Sequence, residues 1–474
     1  MTEGTECRAA ELTFQGLGGR VVVARFDGGR ISSDAGVLLL REVAERTGWL
    51  RRFAACFTDH RDPERIEHTV EELVAQRVFA LACGYEDLND HDVLRDDALL
   101  AVAAGKRDAT GARRPRARDR GHALAGKSTL NRLEGTPATA TATGRYKKIV
   151  YDGAAIEAWF VEAFLAAHET PPPEIVLDLD ATDDPVHGQQ EGRFFHGYYR
   201  AYCYLPLYIF AGDWLLAAKL RRASGDGAAG AVEEVARIVA QLRAQWPAVR
   251  IIVRGDSGFA RDALMTWCEA HDVDYVLGLA RNARLEAAVS LDLALAAIAC
   301  AVTQAPVRRY RELEYRTHDS WTRARRVVAK AESLPGKANP RFVVTSLPIA
   351  RWAAAALYAD LYCARGDMEN RIKEQQLGLF ADRTSTATMR ANQLRLWFAS
   401  VAYVLVATLR RVGLAGTALA QAQVGTIRTR LLKLGALVTV SVRRVVIALS
   451  SVFPLQRLFA HALANLQRLR PQRC

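Results

Sequence analysis

Apolar residues recur at helical spacing through the first third of the chain, close up into short continuous runs after residue 174, and return to helical spacing past residue 350. Residues 20–30, RVVVARFDGGR, read as a short strand and turn. SSDAGVLLLREVAERTGWL opens with Ser and Asp cap candidates and continues as an amphipathic helix. RIEHTVEELVAQRVFALACG predicts a second helix, stopped by Gly84. Residues 105–127 are basic, carry Gly and Pro, and read as loop. Residues 151–169 are helical again until TPPP breaks them. From residue 174 the runs predict strands. EIVLDLD is the first, FFHGYYRAYCYLPLYIF and DWLLAAKLRR the next two, VRIIVRGD the fourth and DYVLGLA the fifth. Helices at 231–246 and in ARDALMTWCEAH separate the last three, which gives the order β-β-β-α-β-α-β. Residues 285–347 interrupt this pattern with a charged segment that reads as β-rich.

Composition narrows the class. A chain of 474 residues, half of them apolar, is long enough for two or three units around large cores. The net charge of +12 is unevenly placed: from Arg383 to Cys474 there are fourteen Lys or Arg, thirteen of them Arg, and no Asp or Glu. The rest of the chain therefore carries −2, and the asymmetry suggests a polyanionic partner that arginine forks would grip. The eight cysteines are scattered without a C-x-x-C pair, which argues against zinc ribbons and disulfide frameworks and fits a reducing cytosol. The N-terminus lacks a basic, apolar signal segment. The longest apolar run, 396–409, is shorter than the roughly 20 residues of a membrane span and reads as a buried helix.

Three acids stand out. Asp180 closes the first strand and Asp256 the fourth. In YCARGDMENRIKEQQ, Tyr362, Arg365, Glu369 and Lys373 fall at offsets 0, 3, 7 and 11, a single stripe at about 100° per residue. Asp178 shares a strand face with Asp180, and Asp367 and Glu374 compete with Glu369, but only Glu369 shares the stripe. Two strand-end aspartates and one helical glutamate suit a pair of divalent cations. His187 and His196 read as ordinary hydrogen-bonding histidines, and Trp321 as a core tryptophan rather than a base-stacking one. GHALAGKS (121–128) matches the Walker A pattern, yet the charged RRPRARDR before it is no buried strand.

The order of the strands resembles a ribonuclease-H-like sheet. LDLDATDDPVHGQQEG, RGDSGF, YVLGLARN, RGDMENRIKE and FDGGRISSDAGVLLLRE resemble, in order and over nearly the whole chain, blocks of insertion-sequence transposases of the DDE class, transposase DDE domain group 1. Tyr362, Arg365 and Glu369 match that group's Y-x2-R-x3-E-x6-K signature, but its lysine falls on Gln376, with Lys373 one turn earlier as the substitute.

The resemblance implies an α/β protein. A helical DNA-end-binding region spans 1–150, and a ribonuclease-H-like catalytic core spans 151–284 and 348–400. A β-rich insertion fills 285–347, and a basic helical region 401–474. It implies Asp180, Asp256 and Glu369 as catalytic residues holding two Mg²⁺ ions, or Mn²⁺. Tyr362, Arg365, Lys373, Arg443 and Arg444 would contact DNA. The expected partner is double-stranded DNA, both the terminal inverted repeats and the target, bound by a homo-oligomer on paired ends, with no membrane and a location in the cytoplasm on the bacterial nucleoid. The alternatives are an inactive DNA-binding relic, suggested by Gln376, and a P-loop NTPase.

Overall fold

Residues 11–469 are described in this computed structural model, so Cys7, Cys474, Arg470 and Arg473 lie outside the described residues. At its centre is a nine-stranded sheet. Its long strands are β1 (Glu174–Ala181), β2 (Leu207–Ala211), β3 (Trp214–Lys219), β4 (Arg250–Gly255), β5 (Asp274–Leu279), β6 (Val307–Tyr315), β7 (Arg325–Leu334) and β8 (Arg341–Thr345). They lie in the order β3-β2-β1-β4-β5-β8-β7-β6, and the short strand Lys337–Ala338 pairs with β7. The chain joins β2 to β3 through a two-residue turn at Gly212, whose φ of +58° suits glycine. β1, β4 and β5 run parallel, which demands crossovers. Helix α1 (Ala231–Gln245) supplies the first and α2 (Asp262–Ala270) the second.

Strand alternation splits the core in two. Ile175, Leu177, Leu179, Ile251 and Val253 face the main hydrophobic cluster. On the opposite face Ile252, Val276, Val328 and Val343 pack beneath Leu357, Tyr358 and Leu361. The segment bearing the signature thus covers the face on which Asp178, Asp180 and Arg254 also stand. Helix α4 (Met389–Thr408) is buried on almost every side. It continues to Gly413, long and apolar enough to cross a membrane, but 89% of its apolar window is already buried inside the protein.

Several elements differ from the sequence reading. FFHGYYRAYCYLPLYIF is not one strand: Phe194–His196 and Ala201–Tyr204 pair with each other, and only Leu207–Ala211 enters the main sheet. Pro206 separates them and cannot donate a ladder hydrogen bond. Residues 285–347 are not uniformly β-rich. They begin within helix Ala283–Ala288 and continue in the alanine-rich helix Ser290–Thr303, and β6, β7 and β8 then extend the same sheet beyond β5. The N-terminal region opens with the hairpin Leu12–Leu17/Arg20–Ala24 before its helices. The basic tail contains the hairpin Ala436–Val440/Val445–Leu449, where β-branched residues outweigh helical spacing.

Candidate active site

Asp180 sits at the carboxyl end of β1, next to the equivalent end of β4, where Asp256 begins the turn. The Asp256 Oδ1 accepts the Gly258 N–H at 2.8 Å and caps a short 3₁₀ turn, which fixes the aspartate at the strand end. Glu369 lies on helix α3 (Gly366–Lys373), which Met368 and Ile372 anchor in the core. Arg365 joins the acids. Its Nη2 donates to Glu369 Oε1 at 2.8 Å and its Nη1 lies 3.7 Å from Asp180 Oδ2. Burial, opposed chiefly by Arg365 and reinforced by Asp256 and Glu369, pushes the Asp180 carboxyl up to about 6. Asp180 thus lies within electrostatic reach of both Asp256 and Glu369.

Among the described residues no three acid, histidine or cysteine side chains converge closely enough to hold a metal ion as they stand. The Arg365 guanidinium between Asp180 and Glu369 supplies the positive charge there. The donor set nevertheless fits a hard divalent cation: carboxylate oxygens only, poorly solvated at Asp180 and mutually repelling.

The competing acids have other work. Asp178 is buried and held by both arms of Arg254, its register partner on β4, with Arg254 Nη2 at 2.7 Å from Oδ2. Arg254 also donates through Nη1 to the Leu361 carbonyl. The pair thus ties the sheet to the segment that carries the signature. Glu374 is buried too, accepting from Arg410 at 2.7 Å and from the Val424 N–H at 2.9 Å. Asp367 is exposed.

The single stripe expected of residues 362–373 is not a regular helix. A π turn, Leu357–Tyr362, and a 3₁₀ turn, Cys363–Arg365, precede α3, and a second π turn, Glu374–Gly378, follows it. Arg365 and Glu369 keep their i,i+4 contact, while Lys373 is exposed and makes no ion pair among the described residues. Tyr362 is half-buried against Tyr358 and reaches β5. A Cβ at Gly278 would lie 2.5 Å from Tyr362 Oη and 2.9 Å from the Ser257 nitrogen, so only glycine lets β5, Tyr362 and the Asp256 turn meet. The glycine inside the strand-like YVLGLA was the available signal for this close approach. Gln376 donates to the Asp183 carbonyl at 3.0 Å and so braces the loop that follows Asp180. Beside Asp256 and Tyr362 opens a cleft of about 460 Å³ whose wall carries Arg281, Lys337 and Arg341.

Other sequence candidates lie elsewhere. Trp321 is buried beside Tyr315 and Arg325 and offers no stacking face. Arg443 and Arg444 occupy the exposed hairpin turn after Val440. The Walker-like Lys127 starts helix Lys127–Glu134 after a loop, not a strand, and its N–H donates to Asp92 Oδ1 at 3.0 Å, where a nucleotide phosphate would have to sit.

Comparison with curated proteins gave no significant match. Among solved structures, the cryo-EM structure of a piggyBac transposase synaptic complex with hairpin DNA is similar at 13% identity, covering 94% of this chain and 87% of that chain with a TM-score of 0.40. The sequence profile described as "Transposase DDE domain group 1" matches residues 14–471. The chain belongs to that transposase family.

Proposed function

We propose that this member of the transposase DDE family cuts the ends of an insertion sequence and joins them to target DNA, using a ribonuclease-H-like core in which Asp180, Asp256 and Glu369 are the catalytic acids. The observation that carries the reading is the meeting of the ends of β1 and β4 with α3, joined by Arg365. The strand order β3-β2-β1-β4-β5, with only β2 antiparallel to the rest, supports the ribonuclease-H-like assignment.

Asp180, Asp256 and Glu369 would hold two divalent ions, Mg²⁺ by preference, which supply a lowered pKa for the attacking water or 3′-hydroxyl and charge stabilisation at the leaving oxygen. Arg365 would release the carboxylates to the ions and turn its fork to the phosphate beside the scissile bond. Tyr362 and the cleft carrying Arg281, Lys337 and Arg341 would seat the strand next to Asp256. The 3′-hydroxyl freed by hydrolysis then attacks a target phosphodiester: one P–O bond forms as another breaks, and no nucleotide is consumed.

The test is a nicking and strand-transfer assay with Mg²⁺ on DNA carrying the inverted repeats that flank the gene. Asp180→Ala, Asp256→Ala and Glu369→Ala should each abolish cleavage and keep DNA binding. Normal cleavage by any one variant removes that residue from the site. Binding without cleavage by the unaltered protein would instead favour a non-catalytic relic.

A further inference from the structure

The N-terminal region holds a second basic cleft, of about 520 Å³, that the acids above do not explain. Its walls come from the loop after Asp59, the loop 105–127, helix Lys127–Glu134 and the residues leading into Ile149. Eight arginines or lysines line it against three carboxylates. Those carboxylates are already engaged: Glu67 with Arg114, Asp92 with Lys127, and Asp119 with Arg118 at 3.8 Å. Arg95, Arg116, Arg132 and Lys148 make no ion pair among the described residues. The Nε atoms of Arg95 and Arg114 are buried with no hydrogen-bond partner among the described residues, an unfavourable state that an incoming acceptor would relieve.

Burial, reinforced by Lys106, Arg114 and Arg61, holds the lining His68 down at about 3, so the positive charge of the cleft comes from its arginines and Lys148. At the rim, the exposed Tyr146 is flanked by Arg132 and Arg145, each guanidinium 4.8 Å from the ring centroid. The ring holds Arg132 over the opening rather than leaving it to solvent.

We infer that this cleft grips the phosphate backbone of duplex DNA, a protein–DNA contact separate from the catalytic acids and from the basic tail. The inference rests on the transposase reading for its choice of polyanion. Arginine forks match phosphate oxygens, and an open cleft lined by loops suits a backbone passing through rather than an enclosed nucleotide.

The probe is a random-sequence duplex, followed by anisotropy across salt concentrations, with the full chain and the variant Arg116→Gln/Arg132→Gln/Lys148→Gln. These side chains are exposed or half-exposed, and equal melting temperatures check the fold; Arg116→Gln/Arg132→Gln, both fully at the surface, is the fallback. The log-affinity against log-salt slope should become shallower by about 0.9 for each phosphate that the variant no longer neutralises. An unchanged slope and affinity overturns the inference while leaving the transposase reading intact. Stabilisation of the unaltered chain, but not of the variant, by ATP or inorganic triphosphate at concentrations where duplex DNA has no such effect would make the cleft a nucleotide site and overturn it as well. Failure of the unaltered chain to bind duplex at low salt would sink both readings.

Discussion

Asp178 and Asp180 stand two residues apart on one strand face, yet their surroundings give them opposite tasks. Arg254 neutralises Asp178 in the core, whereas Asp180 is left among Asp256, Glu369 and one shared arginine. Asp178→Asn should leave the buried Arg254 without a counter-charge and cost on the order of 3 kcal/mol, with cleavage surviving in the folded fraction. Asp180→Asn should do the reverse, removing a buried charge at no loss of stability while abolishing cleavage. Melting and nicking measured on both variants decide the matter, and a dead but fully stable Asp178→Asn protein would reverse the assignment. Asp184 shows the same physics without a cation: both carboxylate oxygens are buried, and neither makes an ion pair among the described residues. Burial raises its carboxyl well above the usual range, Asp382 and Asp183 add to this, and only Thr384 opposes it. A raised carboxyl contributes stability that is fully present below the unfolded value of 3.8 and is lost as pH rises. The melting temperature of Asp184→Asn minus that of the unaltered chain should therefore climb with pH above about 4. A difference independent of pH would show that Asp184 is not the buried acid described here.

At the scale of elements, the site depends on an irregular segment held against regular strands. The π turn Leu357–Tyr362 shifts Tyr362 away from the straight stripe and onto Gly278, and Arg254 holds the turn through the Leu361 carbonyl. Gly278→Ala would force Tyr362 and the Asp256 turn apart. It should cost about 1–3 kcal/mol and lower the cleavage rate more than DNA affinity. Equal loss of both, or neither, would mean that β5 does not set the position of Asp256. The parallel strands β1, β4 and β5, the crossover helices and the four-residue spacing of Arg365 and Glu369 were legible in the sequence because burial periodicity and helix spacing are local. The π turns were not, since their cause is the sheet face below them. The tail hairpin was legible in the β-branched run LVTVSVRRVVIALS, although 401–474 was expected to be helical throughout.

Across the whole molecule, the excess positive charge of the tail proves to be partly internal. Arg383 pairs with Glu86, Arg395 with Glu134, Arg410 with Glu374 and Lys433 with Asp34, so acids from the first 374 residues neutralise cations that the sequence seemed to leave free. Arg390 and Arg428 spend their donors on backbone carbonyls, and Arg411 lies over Trp214. Composition counts charge but not its partners, which is why the tail's excess alone suggested a polyanionic partner. Arg443 and Arg444 are different: they occupy an exposed turn and make no ion pair among the described residues. If that turn meets DNA, Arg443→Gln/Arg444→Gln should weaken specific and random duplexes alike and reduce the salt slope by about 0.9 for each phosphate left without its arginine. Because the internal pairs above are untouched, the stability of this variant should stay within about 0.5 kcal/mol of that of the unaltered chain. Parallel salt titrations on an element end and on unrelated DNA make the check. A slope equal to that of the unaltered chain would place the hairpin away from the duplex.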